Sequence, residues 1–128
     1  MNAALFTFTA ALRAVTAQVA PDWQRAGVSD NGIEIYVDES SVDSDGTRVS
    51  FNHRWVATKA SGVKWREMEF FQKFDCGTRR TAVVTRLETK LDGKADLHVY
   101  GDGPNEWEDE HANNAATVMI GLACGKKK

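Results

Sequence analysis

From Trp23 to Tyr100 the chain is a succession of short segments that alternate apolar and polar residues, and each break between them carries turn chemistry. Alternation with a period of two is the pattern of a half-buried strand. A parallel connection needs about a dozen residues or more, usually a helix, whereas antiparallel neighbours are joined by tight turns. The pattern therefore predicts an antiparallel meander of five or six strands. Its punctuation is Ser29-Asp30-Asn31-Gly32, Asp43-Ser44-Asp45-Gly46, Lys59 to Gly62, Asp75-Cys76-Gly77 and Asp92-Gly93. Asn-Gly and Asp-Gly are hairpin signals because both residues tolerate positive φ.

The faces of two strands can be read. In the segment from Arg48 to Trp55, Val49, Phe51, His53 and Trp55 share one face, and Arg48, Ser50, Asn52 and Arg54 the other. Between Lys64 and Phe74 the alternation puts Met68, Phe70 and Phe74 on one side and Trp65, Glu67, Glu69, Phe71 and Lys73 on the other. Aromatics on both faces mean a strand covered on two sides or one that displays an apolar patch. Thr78 to Lys90 follows, with Val83, Thr85 and Leu87 expected together, and Ala95 to Tyr100 is the last strand. Only the end is helical: Asn113 or Asn114 caps, Ala115, Ala116, Met119, Ile120 and Ala123 recur at helical spacing, and Gly125 stops the run. So short a helix is marginal alone, so it must lie on the sheet. The fold class is α+β.

A chain of 128 residues fits one domain. Its 16 basic and 18 acidic residues form no basic stripe, which argues against a nucleic-acid partner. Residues 1–20 are apolar and end near Val15-Thr16-Ala17, the pattern of a secretory signal peptide. They leave residues 21–125 as the domain and Lys126-Lys127-Lys128 as a basic tail. No stretch reaches the ~20 apolar residues of a transmembrane helix. Cys76 and Cys124 are the only cysteines, and an even count behind an export signal reads as a disulfide. The expected location is periplasmic or secreted.

Trp23 before a turn, Tyr36-Val37-Asp38 followed by Ser40-Ser41-Val42, a Gly46 turn, Trp55, Phe74-Asp75-Cys76 with Arg79-Arg80, Trp107 and a short helix ending at Cys124 together resemble the surface-adhesin protein E family. The resemblance implies an antiparallel sheet with a C-terminal helix tethered by a disulfide, in proteins exported by Gram-negative bacteria. The member that names the family adheres to host extracellular-matrix proteins. Where the family often has proline after Tyr-Val-Asp and Pro-Gly-Ser before the helix, this chain has Glu39 and Glu108-Asp109-Glu110-His111.

Catalytic chemistry is not legible. His53, His98 and His111 fall into no metal-ligand spacing, and His53 reads as a hydrogen-bonded core residue. The acidic cluster around His111 reads as an exposed patch at a helix start, where the helix dipole favours negative charge. Ser40-Ser41 lacks a nucleophile-elbow setting, and no cofactor motif is present. Interface hot spots are rich in aromatics and arginine. Trp65 and Phe71 with Glu67, Glu69 and Lys73, joined by Arg79 and Arg80, are therefore the expected contact surface for a protein partner, an extracellular-matrix or envelope protein, or for a homodimer. The alternatives are an accessory envelope protein without a ligand and, third, a small enzyme whose site carries no known signature.

Overall fold

The computed structural model describes residues 20–101 and 107–125, so the expected signal peptide and the lysine tail lie outside the described residues. The strands are β1 (Trp23–Val28), β2 (Glu34–Asp38), β3 (Asp43–Asp45), β4 (Arg48–Val56), β5 (Trp65–Asp75), β6 (Arg80–Lys90), β7 (Ala95–Val99) and β8 (Glu108–Asp109), followed by helix α1 (Asn114–Cys124). One antiparallel sheet has the order β1-β2-β4-β5-β6-β7, a meander of six strands where five or six were expected, with β3 added to β4 and β8 added to β6.

The two additions correct the sequence reading. Asp43-Ser44-Asp45, expected as part of a turn, is a strand because β2 reaches only Val56 to His53 of the longer β4. Unpaired backbone N–H and C=O groups are costly, and β3 satisfies those of Arg48 to Ser50. Asn52, in the gap between β2 and β3, donates its N–H to Ser41 Oγ at 2.8 Å. The Ser40-Ser41 pair is thus structural. Glu108-Asp109, expected at the start of the helix, is exposed as expected but forms a strand beside Thr81 and Arg80 of β6. Glu110 after it is buried, 7% exposed, with Arg79 Nε donating to its Oε2 at 2.9 Å. Helix α1 begins only at Asn114, so these acids do not sit on its N-terminus.

Asn113 is the cap: its side chain accepts from Ala116 N at 2.7 Å, and Gly125, at φ 81°, ends the helix. Ala116, Met119 and Ile120 are buried on the inner face of the sheet, and Met119 and Ile120 form one core with Phe51 and Phe74. The Phe51 and Phe74 rings stack at 4.9 Å. Ala115, placed in the apolar stripe by spacing, is exposed. Cys76 in the β5–β6 turn and Cys124 at the helix end form the disulfide, with Cα atoms 5.4 Å apart. Arg79, at φ 54°, supports the same joint, donating from Nη2 to Gly125 O at 3.0 Å. Asp75 frames the turn by accepting from Gly77 N and Thr78 N. The Thr78 bond, against the opposing effect of burial and with help from Gly77 and Arg48, holds its carboxyl below the usual range.

His53 is the core residue expected. It is 1% exposed and stacks on Phe70 at 4.7 Å. Trp55 Nε1 donates to His53 Nδ1 at 3.1 Å, which fixes the proton on Nε2 and lets it donate to Gln72 Oε1 at 2.6 Å. Gln72 Nε2 then donates to Thr81 Oγ1, which donates to the carbonyl of Lys73. Burial, opposed only by the Gln72 bond, lowers the imidazole pKa to about 4.

Candidate functional site

Two β-bulges decide which side chains share a face. Between the pairs Trp65 with Lys90 and Glu67 with Thr89, β5 carries one extra residue, Arg66, and between Phe71 with Thr85 and Gln72 with Val83, β6 carries one extra, Val84. A bulge places two residues opposite one and resets the alternation. Arg66 is held in place as its carbonyl accepts from Ala57 N at 3.0 Å, and Val84 as its carbonyl accepts from Tyr100 N at 2.8 Å.

The face opposite α1 therefore carries the cross-strand rows Asn52-Phe71-Thr85-Val99, Arg54-Glu69-Leu87-Leu97 and Val56-Glu67-Thr89-Ala95. Its two halves differ in chemistry. Toward β2, Arg54 lies 3.6 Å from both Glu67 and Glu69 and its guanidinium covers the Trp23 ring at 4.3 Å. Toward β7 the face is apolar: Phe71 and Leu87 are half-buried, and Leu97 and Val99 are 64% and 73% exposed. All five residues of β7 are exposed, and among the described residues no strand pairs with its outer edge. Asp96 bonds Lys90 across the hairpin at 2.8 Å, which lowers its carboxyl pKa.

Of the residues expected to form a contact surface, the structure brings Glu67, Glu69, Phe71 and Lys73 onto this face and separates the other three from it. Trp65 sits beyond the Arg66 bulge and so lies on the inner face with Met68 and Phe70. By the same mechanism Val83 faces inward while Thr85 and Leu87 face outward, against the expectation that the three lie together. The Arg79 guanidinium is engaged by Glu110 and Gly125, and that of Arg80, at the far end of β6, lies 3.2 Å from Asp109 and donates to Trp107 O. Sequence reasoning passed over Leu97 and Val99. Their signal was position: the last strand of a meander is an edge.

A model of the family described as surface-adhesin protein E matches residues 23–125. The chain belongs to the surface-adhesin protein E family. Membership makes it an adhesin-type binding protein, exported or at a surface. No curated protein and no solved structure matches the chain. In this family member the disulfide joins the sheet to the C-terminal helix and leaves the second sheet face free of that helix. Among the described residues no group of three or more His, Cys, Asp or Glu is placed to hold a metal, and no helix is long and apolar enough to cross a membrane.

Proposed function

We propose that this chain is an exported, non-enzymatic binding module that contacts a protein partner through the β7 end of its open sheet face. The observation that carries the reading is the combination at β7 of a backbone edge that no strand pairs with among the described residues and of exposed Leu97 and Val99, continuous with Leu87 and Phe71. An unpaired edge accepts an added strand through main-chain hydrogen bonds, and the adjoining apolar side chains supply specificity. Glu67, Glu69 and Lys73 form the charged rim that usually surrounds such an apolar centre.

The test is binding to immobilised basement-membrane matrix, read by surface plasmon resonance. Wild type and Trp65→Ala bind alike in this reading, because Trp65 is on the other face, whereas Phe71→Ala weakens binding by about tenfold, the loss of a hot-spot aromatic. Equal binding by Phe71→Ala and wild type removes the proposed face.

A second reading is favoured by the strand itself. Two copies of Ala95-Asp96-Leu97-His98-Val99 paired antiparallel about Leu97 set Asp96 against His98 twice and Leu97 against itself. Light scattering behind size exclusion distinguishes this homodimer from a monomer awaiting a different partner.

A further inference from the structure

Among the described residues the inner face of the sheet is only partly covered. The buried residues of α1 sit over Phe51 and Phe74, and beside its first turn a cleft of about 510 Å³ opens between helix and sheet. That volume lies within the ~300–1,000 Å³ of small-molecule sites. The aromatic side chains of Trp55, Trp65, Phe70 and Tyr100 line it. Both bulges build it: the one at Arg66 turns Trp65 inward, and the one at Val84 sets the register that places Arg86 opposite Phe70.

Arg86 decides what the cleft suits. Three guanidinium Nε atoms, those of Arg54, Arg80 and Arg86, are buried without a hydrogen bond among the described residues. Two have a carboxylate near, Glu67 at 3.6 Å from Arg54 and Asp109 at 3.2 Å from Arg80. The side chain of Arg86 has neither a hydrogen bond nor an ion pair among the described residues, and it lines the cleft. A buried, charge-bearing N–H without an acceptor is costly and is rare in a native fold. Among the described residues the one carboxylate lining the cleft, Glu108, accepts from Asn113 Nδ2 at 3.0 Å and is not within ion-pair distance of Arg86. We infer that the cleft is a binding site for a small organic anion with a flat, apolar body, its carboxylate or sulfonate on Arg86 and its body among the aromatic walls. The site is on the opposite side of the sheet from the proposed protein contact, so either can fail without the other.

The probe is 8-anilinonaphthalene-1-sulfonate, titrated by fluorescence with energy transfer from tryptophan, alongside its uncharged counterpart N-phenyl-1-naphthylamine. Wild type binds the sulfonate saturably at one site. Arg86→Gln weakens the sulfonate about tenfold or more, the range of a charge-assisted hydrogen bond, and changes the neutral probe about twofold or less. Arg86→Lys recovers part of the loss. Ala115→Trp, at an exposed helix position lining the cleft, abolishes both by filling it. Circular dichroism and urea midpoints confirm that each variant is folded, and if Arg86→Gln fails to fold, Ala115→Trp and Arg86→Lys still decide. No saturable binding by wild type, equal sulfonate affinity in Arg86→Gln, or binding that survives Ala115→Trp overturns the inference.

Discussion

The sharpest prediction concerns His53 and acid. Its imidazole is buried, accepts from Trp55, and has its pKa lowered to about 4 from the 6.5 of an exposed histidine. Since the unfolded chain binds a proton that the folded chain refuses between those two values, stability is complete above pH 6.5 and falls as the pH drops toward 4. With about 1.4 kcal/mol per unit, the loss is about 2 kcal/mol between pH 7 and pH 5 and about 3 kcal/mol by pH 4. Asp38 and Asp75 also have lowered pKa values, but their contributions are lost only as the pH falls through still lower folded values. The window from pH 7 to pH 5 therefore isolates the histidine. Urea unfolding with the disulfide intact, repeated at pH 7, 6 and 5, measures it, with His53→Gln as the control that cannot titrate. The wild type loses about 2 kcal/mol and the variant stays level across the window. A flat wild-type profile, or an equal slope in the variant, refutes the buried neutral imidazole.

Three further outcomes follow from the packing. Replacing Cys76 and Cys124 by serine removes a crosslink closing a 48-residue separation and costs about 4 kcal/mol in the loop-entropy picture, read by thermal unfolding and by loss of helical signal. Asp38→Ala deletes the acceptor of Asp22 N, Ser40 N and Ser40 Oγ, and should cost about 1 kcal/mol, the usual value of a cap, with the urea midpoint as readout. Arg79→Ala takes a cation from buried Glu110 and a donor from Gly125 O, and should cost about 3 kcal/mol while fraying the end of α1 in hydrogen exchange.

Strands, turns and the helix stop were legible because they depend on local chemistry: alternation at Val49, Phe51, His53 and Trp55, positive φ at Gly32 and Gly93, and Gly125 after the apolar run. The faces of β5 and β6 were legible only between bulges. Arg66 and Val84 have no residue-type signature, since neither is glycine or proline, and each is fixed by a partner outside its own strand, Ala57 and Tyr100. A single extra residue moves every side chain beyond it to the other face, so Trp65 and Phe71 parted although simple alternation joins them. The short strands β3 and β8 escaped notice for a related reason. They exist to satisfy edges that β2 and β7 leave open, which depends on the lengths of other strands. Arg79 and Arg80 looked like surface cations because their acceptors, Glu110, Gly125 and Trp107, lie more than twenty residues away.

The most direct test of the β7 contact is the affinity of the double variant Leu97→Lys, Val99→Lys for immobilised basement-membrane matrix. Both side chains are exposed, so the fold is unaffected, while two ammonium groups are placed in the apolar centre of the proposed surface. The proposal predicts saturable wild-type binding that falls about a hundredfold in the variant, with Val28→Lys on β1 unchanged. Wild-type affinity retained in the double variant contradicts it.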